Sequence, residues 1–195
     1  MSEELVEELT GLVEGLGLDY YLQSHAGVEP HGRVAERFHQ VLVAHGAAAP
    51  SQHAVVRIFA DGRMHGRGEV AKLVFIGDSQ EDFGRVEAAI DGGLRDAVDL
   101  ITGTIAYLGS ASGEISPRGV NKGTAILHIL DHLGVEPSRA IGIGDSRNDV
   151  EMLQVCGVGI AMAEAAPEVI AVADERTSSV MDDGVWNAFR RHGLI

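Results

Sequence analysis

Only one cysteine, Cys156, occurs in the 195 residues. A disulfide framework needs pairs and a thiolate metal site needs several ligands, so both are excluded within one chain. Its place late in an apolar helix marks it as a core residue. Positive charge is scarce too: 15 lysines and arginines stand against 29 aspartates and glutamates, a net charge of −14. A chain this acidic repels nucleic acid backbones and anionic membranes, so neither is an expected partner. Long apolar runs are missing, and with them any candidate membrane-spanning helix. The opening Met1-Ser-Glu-Glu-Leu-Val-Glu-Glu is acidic and has no signal-peptide core, which makes the cytoplasm the expected compartment. Internal repeats and low-complexity tracts are absent.

What remains is ordinary for a soluble globular protein: 45% hydrophobic and 23% charged residues. The length allows one large domain, or a core with a smaller companion. Leu5, Leu9, Leu12 and Leu16 form one stripe beside Val6 and Val13, with glutamates opposite. This predicts an amphipathic helix over residues 2–16, capped by Ser2 and ended by Gly15 and Gly17. Tyr20-Tyr21-Leu22-Gln23 reads as a strand stopped by Ser24-His25-Ala26-Gly27, and a helix follows over Val34 to Ala44. Residues 47–52 read as a loop. Strands are expected over Ala54 to Ala60 and Ala71 to Ile76 around a Gly-rich connection. A helix over 80–91 and strands over Val98 to Thr102 and Thr104 to Leu108 complete the middle.

From Glu114 the texture changes. A helix over Thr124 to Leu133 ends at Gly134. A short strand over 140–144 runs into a helix over Val150 to Cys156. Then come a strand over Val158 to Met162, a Pro-started helix near Pro167, a short strand near Val172 and a last helix over Val185 to His192. Alternating strands and helices of this kind build a parallel sheet. With sheet-forming pieces at both ends of the chain, the middle reads as an insertion into a core.

Chemistry-bearing residues gather in Gly144-Asp145-Ser146-Arg147-Asn148-Asp149. Open α/β sheets handle ligands at the carboxyl ends of their strands, where Asp145 and Asp149 fall. With Asn148 and Ser146 they offer the oxygen donors that Mg²⁺ prefers; capping the next helix is the plainer role. Lys122 lies between Asn121 and Gly123 at a helix start, where free N–H groups already favour an anion. A solvated surface lysine is the plainer role there. One helix and one loop separate Lys122 from Asp145, which brings both to the same rim of a parallel sheet. Gly142-Ile143-Gly144 lacks the third glycine of a dinucleotide fingerprint, since Arg147 stands in its place. No Gly-x-Ser-x-Gly elbow occurs, and Ser24-His25 are only sequence neighbours. The histidine pairs His31/His39 and His128/His132 lack a third ligand and read as surface or partly buried residues.

Taken together, Lys122-Gly123 and Gly144-Asp145-x-x-Asn148-Asp149 resemble motifs III and IV of the haloacid dehalogenase (HAD) superfamily of phosphohydrolases. The likeness is closest to its Cof-type branch and strongest over 114–186. Glu114-Ile-Ser-Pro-Arg-Gly-Val-Asn-Lys-Gly resembles the return from cap to core, Gly157-Val-Gly-Ile-Ala-Met the strand after motif IV, and Asp183-Gly184-Val185 the closing segment. Tyr20 to Gly27 is similar to the strand and turn ahead of the cap. The resemblance implies an α/β fold: a Rossmann-like parallel-sheet core, N-terminally incomplete, over 1–32 and 114–195, with an inserted α/β cap over 33–113. It implies a Mg²⁺-dependent phosphatase acting on a small phosphorylated metabolite of the sugar phosphate or phosphoglycolate type. Lys122 would steady the phosphoryl charge, Asp145 and Asp149 would hold the metal, and Asn148, Ser24 and His25 would contact phosphate or substrate.

Three departures accompany the resemblance. The family's nucleophile segment, Asp-x-Asp-Gly-Thr, occurs nowhere in the chain; Asp182-Asp183-Gly184 is the nearest string, with the wrong spacing and at the wrong end. His25 stands where the branch usually has Asn, and so does Glu164. The family puts its nucleophile strand in the middle of the core sheet, ahead of the point where this chain starts. The expectation is therefore a homo-oligomer that pairs through the incomplete sheet, or a shortened version of a longer protein. An inactive relative that binds metal or a phosphorylated ligand is the alternative function, and a nucleotide-binding domain is a third, weaker one.

Overall fold

The computed structural model describes residues 1–44, 46, 69–102 and 111–195. The chain forms two compact units, Met1–Arg118 and Gly119–Ile195. The strands expected over Ala54 to Ala60 and Thr104 to Leu108, and the loop over 47–52, lie outside the described residues.

In the first unit, helix α1 (Glu3–Gly15) starts at Ser2, whose side chain accepts the Leu5 N–H at 3.3 Å. Strands β1 (Asp19–Ser24) and β2 (Gly27–His31) follow, then α2 (Val34–Ala44), β3 (Val70–Ile76), α3 (Gln80–Ala89), α4 (Gly92–Ala97), β4 (Val98–Thr102) and β5 (Gly113–Pro117). The strands form one sheet in the order β2-β1-β3-β5-β4, with antiparallel neighbours throughout. Side chains alternate between its faces, as the strand period of two dictates. Tyr20, Leu22, Leu73 and Phe75 pack with Leu9 and Val13 of α1 and Val86 and Ile90 of the α3 region. Tyr21, Val74 and Ile76 pack on the opposite face with Val34 and Phe38 of α2. Asp19 anchors the start of β1: it accepts the Arg33 N–H at 2.9 Å and pairs with the Arg37 guanidinium, which also grips Asp78.

Several expectations are corrected here. Ser24 to Gly27 does not simply stop a strand; it closes a hairpin in which Ser24 pairs with Gly27 and β2 returns along β1. Helix α4 and strand β5 had no clear periodic signal. The sequence reading joined 1–32 to 114–195 as a core; β1 and β2 lie in the sheet of the first unit, hydrogen-bonded to β3 along the whole of β1. An apolar strand does not encode its partner, and here antiparallel pairing with β3 wins.

The second unit opens with α5 (Lys122–Leu133), capped by Asn121 and closed by Gly134, whose φ of 63° is the left-handed conformation that glycine adopts without strain. Strand β6 (Ile141–Gly144), α6 (Val150–Val155), β7 (Val158–Ala161), α7 (Pro167–Val172), β8 (Glu175–Arg176) and α8 (Gly184–Arg191) complete it. The expected parallel sheet is present, in the order β6-β7-β8. Its last strand lies at Glu175–Arg176 rather than near Val172, which ends α7. Leu153, Ala161, Ala165 and Val169 form the core between the helices and the sheet. Cys156 is buried as expected, and burial raises its thiol pKa above the ordinary value. Among the described residues, no helix is long and apolar enough to cross a membrane.

Candidate active site

Strand β6 ends at Gly144, and the chain then turns through Asp145 and Ser146 into a single 3-10 turn, Arg147–Asp149, that leads into α6. The turn is closed by its own acid. Asp149 Oδ2 accepts the backbone N–H groups of both Asp145 and Ser146 at 3.0 Å. The Ser146 hydroxyl in turn donates to Asp145 Oδ1 at 2.9 Å. Gly144 makes this possible, because a Cβ there would come within 2.4 Å of Asp149 Cβ. Two further backbone bonds pin the turn to the segment after β7: Met162 N–H donates to the Gly144 carbonyl at 2.9 Å, and Ala166 N–H to that of Asp145 at 3.0 Å.

The lysine arrives from α5. Asn121 accepts the Thr124 N–H at 2.9 Å, Thr124 Oγ1 accepts the Asn121 N–H at 3.1 Å, and this reciprocal cap fixes where the helix begins. Lys122 is the first helical residue. Beside it, Gly123 lets α5 approach α6 closely, since a Cβ would meet the Glu151 backbone at 2.8 Å. Lys122 Nζ donates to Asp149 Oδ1 and, at 3.3 Å, to Asn148 Oδ1.

Burial separates the two acids. Asp149 is only 4% exposed, whereas Asp145 is open to solvent. Burial by itself pushes the Asp149 pKa up, but the Lys122 ammonium and the N–H groups of Ser146 and Asp145 outweigh it and hold the carboxyl below its ordinary value. Asp149 is thus a fixed anion that aims Lys122, with partners on both oxygens. Asp145, with the Ser146 hydroxyl and the Asn148 amide nearby in sequence, supplies hard oxygen donors. That set fits Mg²⁺, which takes one or two carboxylates and keeps several waters.

Of the residues singled out from the sequence, the structure brings Lys122, Asp145, Asn148 and Asp149 into one cluster of the second unit. Ser24 and His25 belong to the first unit. The Ser24 hydroxyl accepts the Ala26 N–H at 3.0 Å within the hairpin turn, and His25 is exposed. His128 and His132 are exposed on α5, and no group of three metal-binding side chains of the His, Cys, Asp and Glu types occurs among the described residues. The spacing Ser146-x-x-Asp149 carried a readable signal for the inward role of Asp149, because that pattern is a capping box. Arg147 was not singled out; its guanidinium pairs with Glu168 on α7 at 3.0 Å, and the Glu168 N–H, with Arg147 second to it, lowers the pKa of that carboxyl.

A parallel sheet with acid, amide and lysine gathered at its strand ends defines a class, the open α/β proteins that take ligands outside the carboxyl ends of their strands. Within that class, residues 2–189 match the family profile described as haloacid dehalogenase-like hydrolase, and the chain belongs to that family. It is 32% identical over 126 residues to the putative phosphatase YxeH of Bacillus subtilis, covering 65% of this chain and 44% of that protein. Over 103 residues it is 34% identical to the HMP-PP phosphatase of Citrobacter koseri, covering 53% of this chain and 36% of that protein. The chain therefore spans less than half the length of either curated relative. A solved structure from Streptococcus mutans superposes with a TM-score of 0.74 at 18% identity, covering all of this chain and 69% of that one, which shows the shared fold.

Proposed function

We propose that this chain carries the metal- and phosphate-holding part of a Mg²⁺-dependent phosphate-monoester hydrolase. The observation that carries the reading is the Asp149–Lys122 pair, which holds an ammonium at the strand-end rim beside the exposed Asp145. Lys122 is placed to neutralise an equatorial phosphoryl oxygen, and the N-terminal end of α5 adds its dipole. Asp145 would hold the metal, and Asn148 would share the orientation of Lys122. A bound Mg²⁺ would offset the charge that builds on the phosphoryl group during transfer. Asp149 takes no proton in this scheme; it holds Lys122 in place. The metal role first given to Asp149 narrows here to positioning, because both its oxygens already have partners.

The substrate class follows from family membership and from relatives described as phosphatases: a small phosphorylated metabolite. Phosphoglycolate remains one of the named types, since a phosphoglycolate phosphatase of Methanothermobacter thermautotrophicus is 40% identical over 77 residues. A second reading, binding without turnover by these 195 residues taken alone, is favoured by one observation: no Asp-x-Asp-Gly-Thr nucleophile segment occurs among them. Phosphate release from p-nitrophenyl phosphate with Mg²⁺ separates the two. Turnover that disappears in Asp145→Ala supports the hydrolase. No turnover, with inorganic phosphate still bound and its binding weakened by Lys122→Ala, supports the binding protein.

A further inference from the structure

Helix α8 and its flanks leave a large apolar face uncovered. Val180, Met181, Val185, Trp186, Phe189, Leu194 and Ile195 are all exposed, Met181 at 90% and Trp186 at 49%. Val180, Val185, Trp186, Phe189 and Ile195 line one groove of about 440 Å³ together with Asp183. Contiguous apolar surface of this kind marks an interaction site. The charges around it are ordered. Asp182 and Asp183 stand at the start of α8 and Arg190 and Arg191 at its end, with the apolar residues between. Arg190 already lies over the Trp186 ring at 4.8 Å, covering part of its face.

We propose that this face docks a second copy of the same chain, with the two α8 helices antiparallel across a two-fold axis near Trp186. The choice of partner rests on charge complementarity. Running antiparallel, the acidic start of one α8 meets the basic end of the other, and Trp186 and Phe189 meet at the centre. A two-fold contact joins a patch to itself, so it needs opposite charges at equal distances from its axis. Asp183 and Arg190 are centred on a point between residues 186 and 187, whereas Arg191 is already paired with Glu175 at 2.9 Å and adds nothing to the contact. With a net charge of −14 on each copy, association needs such local pairing to offset long-range repulsion.

The test uses the whole chain. Sedimentation equilibrium across micromolar concentrations should give twice the chain mass, and the emission of Trp186, the single tryptophan, should shift to the blue as the dimer forms. Phe189→Glu and Arg190→Glu should each weaken association at least about tenfold. Adding Asp183→Lys to Arg190→Glu should restore it, a result that misfolding cannot produce. A monomer at every concentration overturns the proposal, and so does a dimer indifferent to both single substitutions.

Discussion

Asp149 divides its two carboxylate oxygens between different tasks: Oδ2 closes its own turn through the N–H groups of Asp145 and Ser146, while Oδ1 holds the ammonium of Lys122. Removing the cation should therefore be felt first in stability. Lys122→Met leaves a nearly buried carboxylate with only its backbone donors. The lysine side chain is 49% exposed, so water makes up part of the loss. A destabilisation of about 1–3 kcal/mol is expected by urea denaturation, with phosphate binding abolished.

The depressed pKa of Asp149 has a consequence in acid. Its folded-state value lies below the ordinary 3.8, so between the two the unfolded chain binds more protons than the folded one. This contribution to stability is complete above the unfolded value and is lost as the pH falls through the folded value. Acid unfolding followed from pH 5 downward should show a steeper loss in the parent protein than in Asp149→Asn. Equal slopes would remove Asp149 from the acid transition.

Gly144→Ala puts a methyl group on the Asp149 side chain, with Cβ atoms 2.4 Å apart. Something must move, and the carboxylate is what the methyl meets. A loss of about 1–3 kcal/mol is expected, together with weakened phosphate binding, because the acid that aims Lys122 is displaced. Calorimetric titration with inorganic phosphate beside a thermal melt measures both.

Asn121→Ala removes the acceptor that caps α5 one residue before Lys122. The expected cost is about 1 kcal/mol, read as a lower melting temperature. Asn121→Asp, which keeps the acceptor, should restore most of it.

Magnesium should stabilise the protein through Asp145 if the proposed role holds. At a hundredfold excess over its Kd, the ion should add about 2.7 kcal/mol, visible as a raised melting temperature. Asp145→Asn should cancel the increment, while Asp149→Asn should lower the baseline and leave part of the response. An unchanged response in Asp145→Asn would place the metal elsewhere.

The candidate cluster was largely legible before the fold was. Lys122, Asp145, Asn148 and Asp149 stood out by residue type and by their places at a helix start and a strand end, and the structure brings them together. The direction of each carboxylate was legible only in part: Ser146-x-x-Asp149 is a capping-box pattern that aims Asp149 at its own turn, while the burial of Asp149 and the exposure of Asp145 come from packing against Gly144 and α5.

The same division runs through the whole molecule. Helix limits such as Val34–Ala44, the Asn121 cap, the Gly134 stop and the parallel character of residues 119–195 were written locally, in periodicity and in capping residues that act within a few positions. Strand partnership was not. The residues of β1 specify an apolar, extended segment, but its pairing with β3 is a choice of a distant partner, settled where Leu73, Phe75, Val74 and Ile76 pack with β1 residues on the two faces of the sheet. Local sequence therefore determined most of the helices, several of the strands and the residue types they carry. Tertiary structure decided which strands share a sheet and which oxygen of Asp149 holds Lys122, since those depend on contacts between residues far apart in the chain.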